Sequence, residues 1–388
     1  MKRLENLDLK DKRVLIRVDF NVPLTSDGKV SDDMRIRAVL PTLHYILDKG
    51  AKSILLMSHL GRPKGVDPHL TLSPCAQRLS LLLKQPVAMA PDCVGPHVEK
   101  MDQKIIMLEN LRFHAGEESP EKEPGFVESL ARLGDVYVND AFGAAHRAHA
   151  STACIVPFFK GNASAGFLME KEILHLSSLL ESPKKPFYAV IGGAKVSSKI
   201  GVIQSLLKRV DLVYLGGGLA FPFLQAQGMD LGASKVPVEE ENLARAILAK
   251  TESIRLPVDV TIADVFGETK NQRVVSVPDA IPSGWFGMDV GPATIEQWSR
   301  EMKNPKTVFW NGPLGVFELE SFAKGTIAIA QALADSSAAV TIGGGDSLAA
   351  IEQMGLSDRF AYLSTGGGAA LEFLEHEGHL PGIDVLCT

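Results

Sequence analysis

The sequence predicts an α/β protein of two doubly wound parallel-sheet (Rossmann-like) domains. Short β-branched runs alternate with helical-period segments from residue 14 to residue 375, the rhythm of repeated strand–helix–strand units. At 388 residues the chain is too long for one ordinary core, so two domains of roughly 170–200 residues are expected. The strand ends also divide by chemistry, with cations in the first half and glycines in the second.

In the first half, VLIRVDFN (14–21) ends in Asp19 and Asn21, and ILLMSHLGR (54–62) ends in His59 and Arg62. IIMLENLR (105–112) ends in Arg112, and VYVNDAFGAAHR (136–147) in Arg147. Between the first two runs, Ile36, Val39, Leu40, Leu43, Ile46 and Leu47 mark one face of a helix stopped by Gly50, with Arg35 at its start. Taken singly, Asp19 and Asn21 are ordinary turn formers and each arginine an ordinary surface charge. Several guanidinium forks at successive strand ends would instead surround one anion, such as a phosphate or carboxylate. His59, His146 and His149 fit that setting as hydrogen-bond donors rather than metal ligands, because no carboxylate or cysteine sits at ligand spacing.

The domain boundary is expected near residues 160–185. In FLMEKEILHLSSLL (167–180), Leu168, Ile173, Leu174, Leu176, Leu179 and Leu180 cover much of the helix circumference. That pattern suits burial between two bodies, and it equally suits a core helix. ESPKKP follows and punctuates the chain with Pro183 and Pro186.

Five runs of the second half end in glycines: FYAVIGG (187–193), VYLGGG (213–218), TVFWNGPLG (307–315), VTIGGGD (340–346) and YLSTGGG (362–368). Backbone N–H groups at such turns can approach a phosphate closely, because glycine removes the Cβ and a helix start adds a favourable dipole. In GGGDS, Asp346 stands where it could orient a phosphate-bound Mg²⁺, or simply cap the helix. In GGAKVSSKI, Lys195 and Lys199 are expected at i,i+4 spacing on one helix face, a like-charge pair that invites an anion or is merely solvated. Neither the GxxxxGK[ST] nor the GxGxxG spacing occurs.

Composition excludes other classes. Hydrophobic residues at 45% and charged residues at 22% describe a globular chain, and the net charge of −6 argues against a nucleic-acid surface. Cys75, Cys93, Cys154 and Cys387 are widely spaced and read as reduced thiols of a cytoplasmic protein. No secretory leader or membrane-spanning run is read from the chain.

RVDFNVP, SHLGRP, LENLRFH, NDAFGAAHRAHAS, GGAKV, WNGPLGVFE and GGGDS, in this order over nearly the whole chain, resemble the phosphoglycerate kinase family. The resemblance implies a 3-phosphoglycerate-binding domain at 1–168, a nucleotide-binding domain at 169–371 that includes the hinge helix, and a tail at 372–388 packed back on the first domain. It implies reversible phosphoryl transfer between 1,3-bisphosphoglycerate and MgADP, giving 3-phosphoglycerate and MgATP, by a monomer with Mg²⁺ as cofactor. Asp19, Phe20, Asn21, Arg35, His59, Leu60, Gly61, Arg62, Arg112 and Arg147 are then the substrate residues. Gly193, Ala194, Lys195, Lys199, Gly217, Gly287, Asn311, Pro313, Glu318, Gly344, Gly345, Asp346 and Ser347 are the nucleotide residues, with Asp346 on the metal. Arg35, Lys195, Lys199, Gly344 and Gly367 are the catalytic set. Ser198 departs from the aspartate that many relatives carry, and Ser347 replaces a frequent threonine. A nicotinamide dehydrogenase is disfavoured by the missing GxGxxG, and a decayed nucleotide sensor by Arg35, Lys195 and Asp346 being intact.

Overall fold

The computed structural model describes residues 1–387; Thr388, the last residue of the expected tail, lies outside the described residues. The chain divides into two compact units, one built from residues up to Leu174 together with the segment from His379 onward, the other from His175–Gly378.

The first unit holds six strands: β1 (Arg13–Val18), β2 (Ser53–Met57), β3 (Ala88–Met89), β4 (Ile105–Met107), β5 (Val136–Asp140) and β6 (Ala163–Ala165). They form one sheet in the order β3-β4-β2-β1-β5-β6, parallel throughout. SILLM is buried at every position of β2, as a strand covered on both faces must be. The helix Met34–Asp48 buries Ile36, Val39, Leu43 and Ile46, which join β1 and β2 in a continuous core.

Six strands of the second unit repeat this plan: β7 (Phe187–Ile191), β8 (Leu212–Leu215), β9 (Ile254–Arg255), β13 (Thr307–Asn311), β14 (Ala339–Gly343) and β15 (Tyr362–Leu363). Their order is β15-β14-β13-β7-β8-β9, again parallel. Between them lies an antiparallel ribbon that sequence reasoning did not anticipate, made of β10 (Asp259–Ala263), β11 (Gln272–Ser276) and β12 (Phe286–Val290) in the order β11-β10-β12. Its outer strand QRVVS has no buried position, so it lacks the apolar run by which the other strands announce themselves.

The helix Phe167–Glu181 forms as expected, with the division between the units falling after Leu174. Its apolar surface is narrower than the sequence suggested. Met169, Leu176 and Leu179 are buried, and so is Glu172, but Leu174 is 70% exposed. No helix among the described residues is long and apolar enough to cross a membrane.

Candidate active site

A doubly wound sheet opens a crevice where the strand order reverses, beyond the carboxyl ends of the strands. In the first unit the reversal falls at β1, flanked by β2 and β5. The residues following β4, β2, β1 and β5, four adjacent parallel strands, are those singled out as anion-binding. Asp19 Oδ2 accepts from Arg35 Nη1 at 2.8 Å. Burial works against the Asp19 carboxylate, but Arg35, Arg17 and the Asn21 N–H outweigh it and hold its pKa below the usual range. Asn21 does not face outward as a free amide: its Oδ1 accepts from Gly61 N at 2.9 Å, tying the first turn to the second. Arg112 Nη1 donates to Gly61 O at 2.7 Å, so the same turn is clamped from both sides. Glu118 Oε1 lies 2.8 Å from Arg112 Nη2 and 3.7 Å from Arg147 Nη1, gathering two guanidinium groups on one carboxylate. Arg62 is exposed and makes no hydrogen bond or ion pair among the described residues. Phe20 and Leu60, by contrast, are core side chains, 0% and 2% exposed, so neither offers a side chain to a ligand.

Two of the histidines are held toward the neutral form by their setting. Burial, reinforced by Arg17, Arg112 and Arg35 against the opposing Asp19, pushes His59 well below its ordinary pKa. Burial and the neighbouring Arg17 and Arg147 bring His149 to about 3. Beneath them sit two fully buried ionisable groups that sequence reasoning missed: Arg17, which reads simply as a strand residue, and Glu117, 3.8 Å apart. Burial pushes the Glu117 carboxyl above its usual range, against Arg17 and the Ser151 hydrogen bonds. Elsewhere in this unit the fold gathers Asp92, Cys93 and His114, although nothing in their spacing signalled it. His114 is held between Asp92 and Glu123, each at 2.7 Å, and Cys93 donates to the Glu109 carbonyl, which accounts for these groups as a hydrogen-bonded brace.

In the second unit the reversal falls at β7, between β8 and β13. All five glycine-ended runs lie on adjacent parallel strands, β8, β7, β13, β14 and β15. Gly217 shows why glycine is needed there: φ is +63° and a Cβ would sit 3.0 Å from the Gly193 and Pro313 carbonyl oxygens. The turns border a cavity of about 740 Å³ lined by Gly193, Ala194, Gly217, Gly287, Pro313, Glu318 and Asp346, with Phe221, Ser234 and Met288 from outside the predicted set. Gly287 lies on the unanticipated ribbon, where its N–H donates to Ser234 Oγ at 2.9 Å.

Lys195, Lys199, Asn311, Gly344, Gly345, Ser347 and Gly367 do not line that cavity, and three of them brace the turns instead. Asn311 Nδ2 donates to Gly343 O, and Ser347 Oγ accepts from Gly312 N at 2.7 Å. Lys199 donates to Gly192 O at 2.7 Å and to Asn311 Oδ1 at 2.6 Å. The expected i,i+4 lysine pair on a helix face is therefore corrected. The helix begins only at Ile200, because Lys199 folds back into the glycine turn while Lys195 stays exposed. Burial, opposed by Asp346, lowers Lys199 to about 8. Asp346 lies in the first turn of the helix Gly345–Gln353 but makes no capping bond, which removes the capping explanation and leaves an exposed carboxylate. Ser198 Oγ donates to Lys195 O at 2.9 Å, a local turn bond.

Comparison with known proteins decides what these two rims belong to: the phosphoglycerate kinase family model matches residues 4–377. The chain belongs to the phosphoglycerate kinase family. The phosphoglycerate kinase of Chlorobaculum tepidum is 51% identical over 398 residues, covering 99% of both chains. The cytosolic phosphoglycerate kinase of Triticum aestivum is 50% identical over 392 residues, covering 98% of this chain and 96% of that one. Among solved structures, that of phosphoglycerate kinase from Coxiella burnetii superimposes with a TM-score of 0.85 at 40% identity, covering 100% of this chain and 98% of that one. The relatives of this phosphoglycerate kinase chain include cytosolic and chloroplastic proteins alike. A kinase that transfers phosphate is thus the activity of this chain.

Proposed function

We propose that the chain transfers a phosphoryl group reversibly between 1,3-bisphosphoglycerate and MgADP, with the acid's anionic groups on the first unit and the nucleotide on the second. The observation that carries this reading is the delivery of Arg35, His59, Arg112 and Arg147 to the ends of neighbouring parallel strands. Both reactants are anions, so the protein's contribution is positioning and charge neutralisation rather than covalent chemistry. Arg62, Arg112 and Arg147 take the substrate's anionic groups, Asp19 orients Arg35, and Asn21 and Gly61 fix the turn. Phe20 and Leu60 support these neighbours from the core. Arg35 and Lys195 stabilise the phosphoryl in flight. Lys199 steadies the glycine turn and grips nucleotide phosphate, with the N–H groups of Gly193, Gly344, Gly345 and Gly367 taking further oxygens. Gly217, Gly287 and Pro313 border the base, and Glu318 at the cavity rim holds the ribose hydroxyls.

The exposed Asp346 carboxylate, which makes no hydrogen bond or ion pair among the described residues, fits as the residue that would hold a Mg²⁺ carried by the nucleotide; the ion would supply charge neutralisation there. Because the two sets of residues lie on separate units, transfer requires the units to come together, with the Phe167–Glu181 helix as the hinge. The enzyme works as a monomer in the cytoplasm, consistent with four free thiols.

Isothermal titration of 3-phosphoglycerate and of MgADP, singly and together, with a coupled ATP-forming assay, tests the reading. Substrate binding that survives loss of Arg112 and Arg147 together defeats it. X-ray scattering tests the hinge, since an unchanged radius of gyration on adding both ligands rules closure out.

A further inference from the structure

Four side chains form a hydrogen-bond chain whose direction is fixed at every link. Glu117 is fully buried; its Oε1 accepts from Ser151 Oγ at 2.7 Å and its Oε2 from Ser151 N at 3.1 Å. Having given its proton to Glu117, the Ser151 hydroxyl can only accept at its next contact, and it accepts from Arg17 Nε at 2.8 Å. Arg17, 1% exposed, spends Nη1 on the Val18 carbonyl and directs Nη2 at His59 Nδ1, 3.1 Å away. A guanidinium has no acceptor, so the His59 nitrogen that meets it must present a lone pair. In a neutral imidazole the proton then resides on Nε2, for which no partner exists among the described residues.

We infer that Arg17, oriented by Glu117 through Ser151, is a positioning residue that locks His59 in its Nε2–H tautomer, making it an obligate donor to the anionic substrate. Arg17 itself never reaches the substrate. Its burial separates it from the arginines of the rim, and burial of the ring, with the charges of Arg17, Arg112 and Arg35, opposes protonation against the facing Asp19 carboxylate, so His59 donates one hydrogen bond without becoming a cation. The inference rests on the reading of His59 as a substrate residue and refines it: the histidine reads an oxygen lone pair and is insensitive to pH across the neutral range.

The test is long-range ¹H–¹⁵N correlation of the imidazole resonances in the full-length, ligand-free protein. The expected result is a single neutral Nε2–H form for His59 between pH 6 and 8. Protonated Nδ1, an even tautomer mixture or an imidazolium at pH 7 overturns the inference in the wild-type protein, with no variant required. The paired variant Arg17→Met with Glu117→Gln removes both buried charges together, and should release the ring into a tautomer mixture. It should also raise KM for 3-phosphoglycerate about tenfold with the nucleotide KM unchanged, the scale of one hydrogen bond to a charged group. Arg17→Lys, which keeps a donor and a charge, should restore part of the tautomer preference. Should the tautomer be as stated while His59→Ala leaves KM for 3-phosphoglycerate unaltered, the substrate-site reading fails and the relay stands. Should the tautomer be wrong while His59→Ala weakens the substrate, the reverse holds.

Discussion

The two units build their sites from the same place on the same kind of sheet, yet by opposite means. On the proposed reading the first recognises with side chains, and its long cations are held in advance by carboxylates: Arg35 by Asp19, Arg112 and Arg147 by Glu118, buried Arg17 by Glu117. On the same reading the second recognises with backbone, and its braces, Asn311, Ser347 and Lys199, are spent on keeping glycine turns in place. A guanidinium needs a counter-charge before the ligand arrives, whereas a peptide N–H needs only that nothing cover it. The damage done by substitution should differ accordingly.

The severest break falls on the side-chain rim. Arg35→Ala should lower the transfer rate about a hundredfold, on the order of 3 kcal/mol for one preorganised donor, while leaving the unfolding transition in place. A coupled ATP-forming assay reads it, and turnover within threefold of wild type refutes the role of Arg35.

Asp140, at the end of β5, departs from the first unit's pattern of paired charges: fully buried, it makes no ion pair among the described residues. Burial, against hydrogen bonds from Thr42 and the backbone of Met169 and Leu168, raises it to about 7 from the usual 3.8. The folded protein then keeps a proton that the unfolded chain releases near pH 4, so stability falls as pH rises from about 4 to about 7. Asp140→Asn should stabilise the protein by about 2 kcal/mol at pH 8 and leave it unchanged at pH 4, measured by urea unfolding. An equal effect at both values removes the explanation.

Backbone recognition is probed most cleanly at Gly345, where an added Cβ meets nothing within 4 Å and φ is not left-handed. Gly345→Ala should leave the protein as stable or slightly more so, since alanine favours a helix by about 0.5–1 kcal/mol. The same methyl should weaken nucleotide binding about tenfold by blocking one N–H contact, roughly the cost of a lost hydrogen bond to a charged group. Unchanged affinity in a calorimetric titration means that the phosphate does not approach there.

Lys199 gives the glycine rim a pH-dependent member. With a pKa of about 8 it is charged below that value and neutral above. Nucleotide affinity should therefore decline severalfold between pH 7 and 9 in calorimetry, while 3-phosphoglycerate affinity holds. The smallest effect belongs to Glu118, half exposed and shared between two arginines. Glu118→Gln should tighten 3-phosphoglycerate binding about twofold, in keeping with the weak energy of solvated ion pairs. Weaker binding would show that the carboxylate orients the arginines rather than competing with the substrate.

Much of this plan is legible in the sequence because strands buried on both faces appear as unbroken apolar runs, and whatever follows each run reaches the ligand edge. SILLM before His59 and VTIG before Gly344 need no more than that. What stays hidden depends on chain segments far apart. Arg17 alternates within RVLIRV like any strand residue, and its partner Ser151 is 134 positions away. Lys199 looks like a helix residue until Asn311, 112 positions on, draws it into the turn. Asn311 and Ser347 sit inside recognisable motifs, yet nothing local reveals that their polar atoms serve the backbone. The β10–β12 ribbon was invisible because its outer strand is solvated.

The segment from His379 onward joins the first unit, and there Gly382 N donates to Ala145 O at 2.9 Å while its carbonyl accepts from Asn139 Nδ2 at 3.3 Å. These contacts lie just upstream of His146 and Arg147. During synthesis, the half made first must therefore wait for residues made after the second unit before its ligand edge is finished. On the proposed reading, a ribosome-bound nascent chain lacking those residues should hold a folded nucleotide half and an unfinished acid-binding half, so competence for the acid becomes a signal that synthesis has passed the whole nucleotide half.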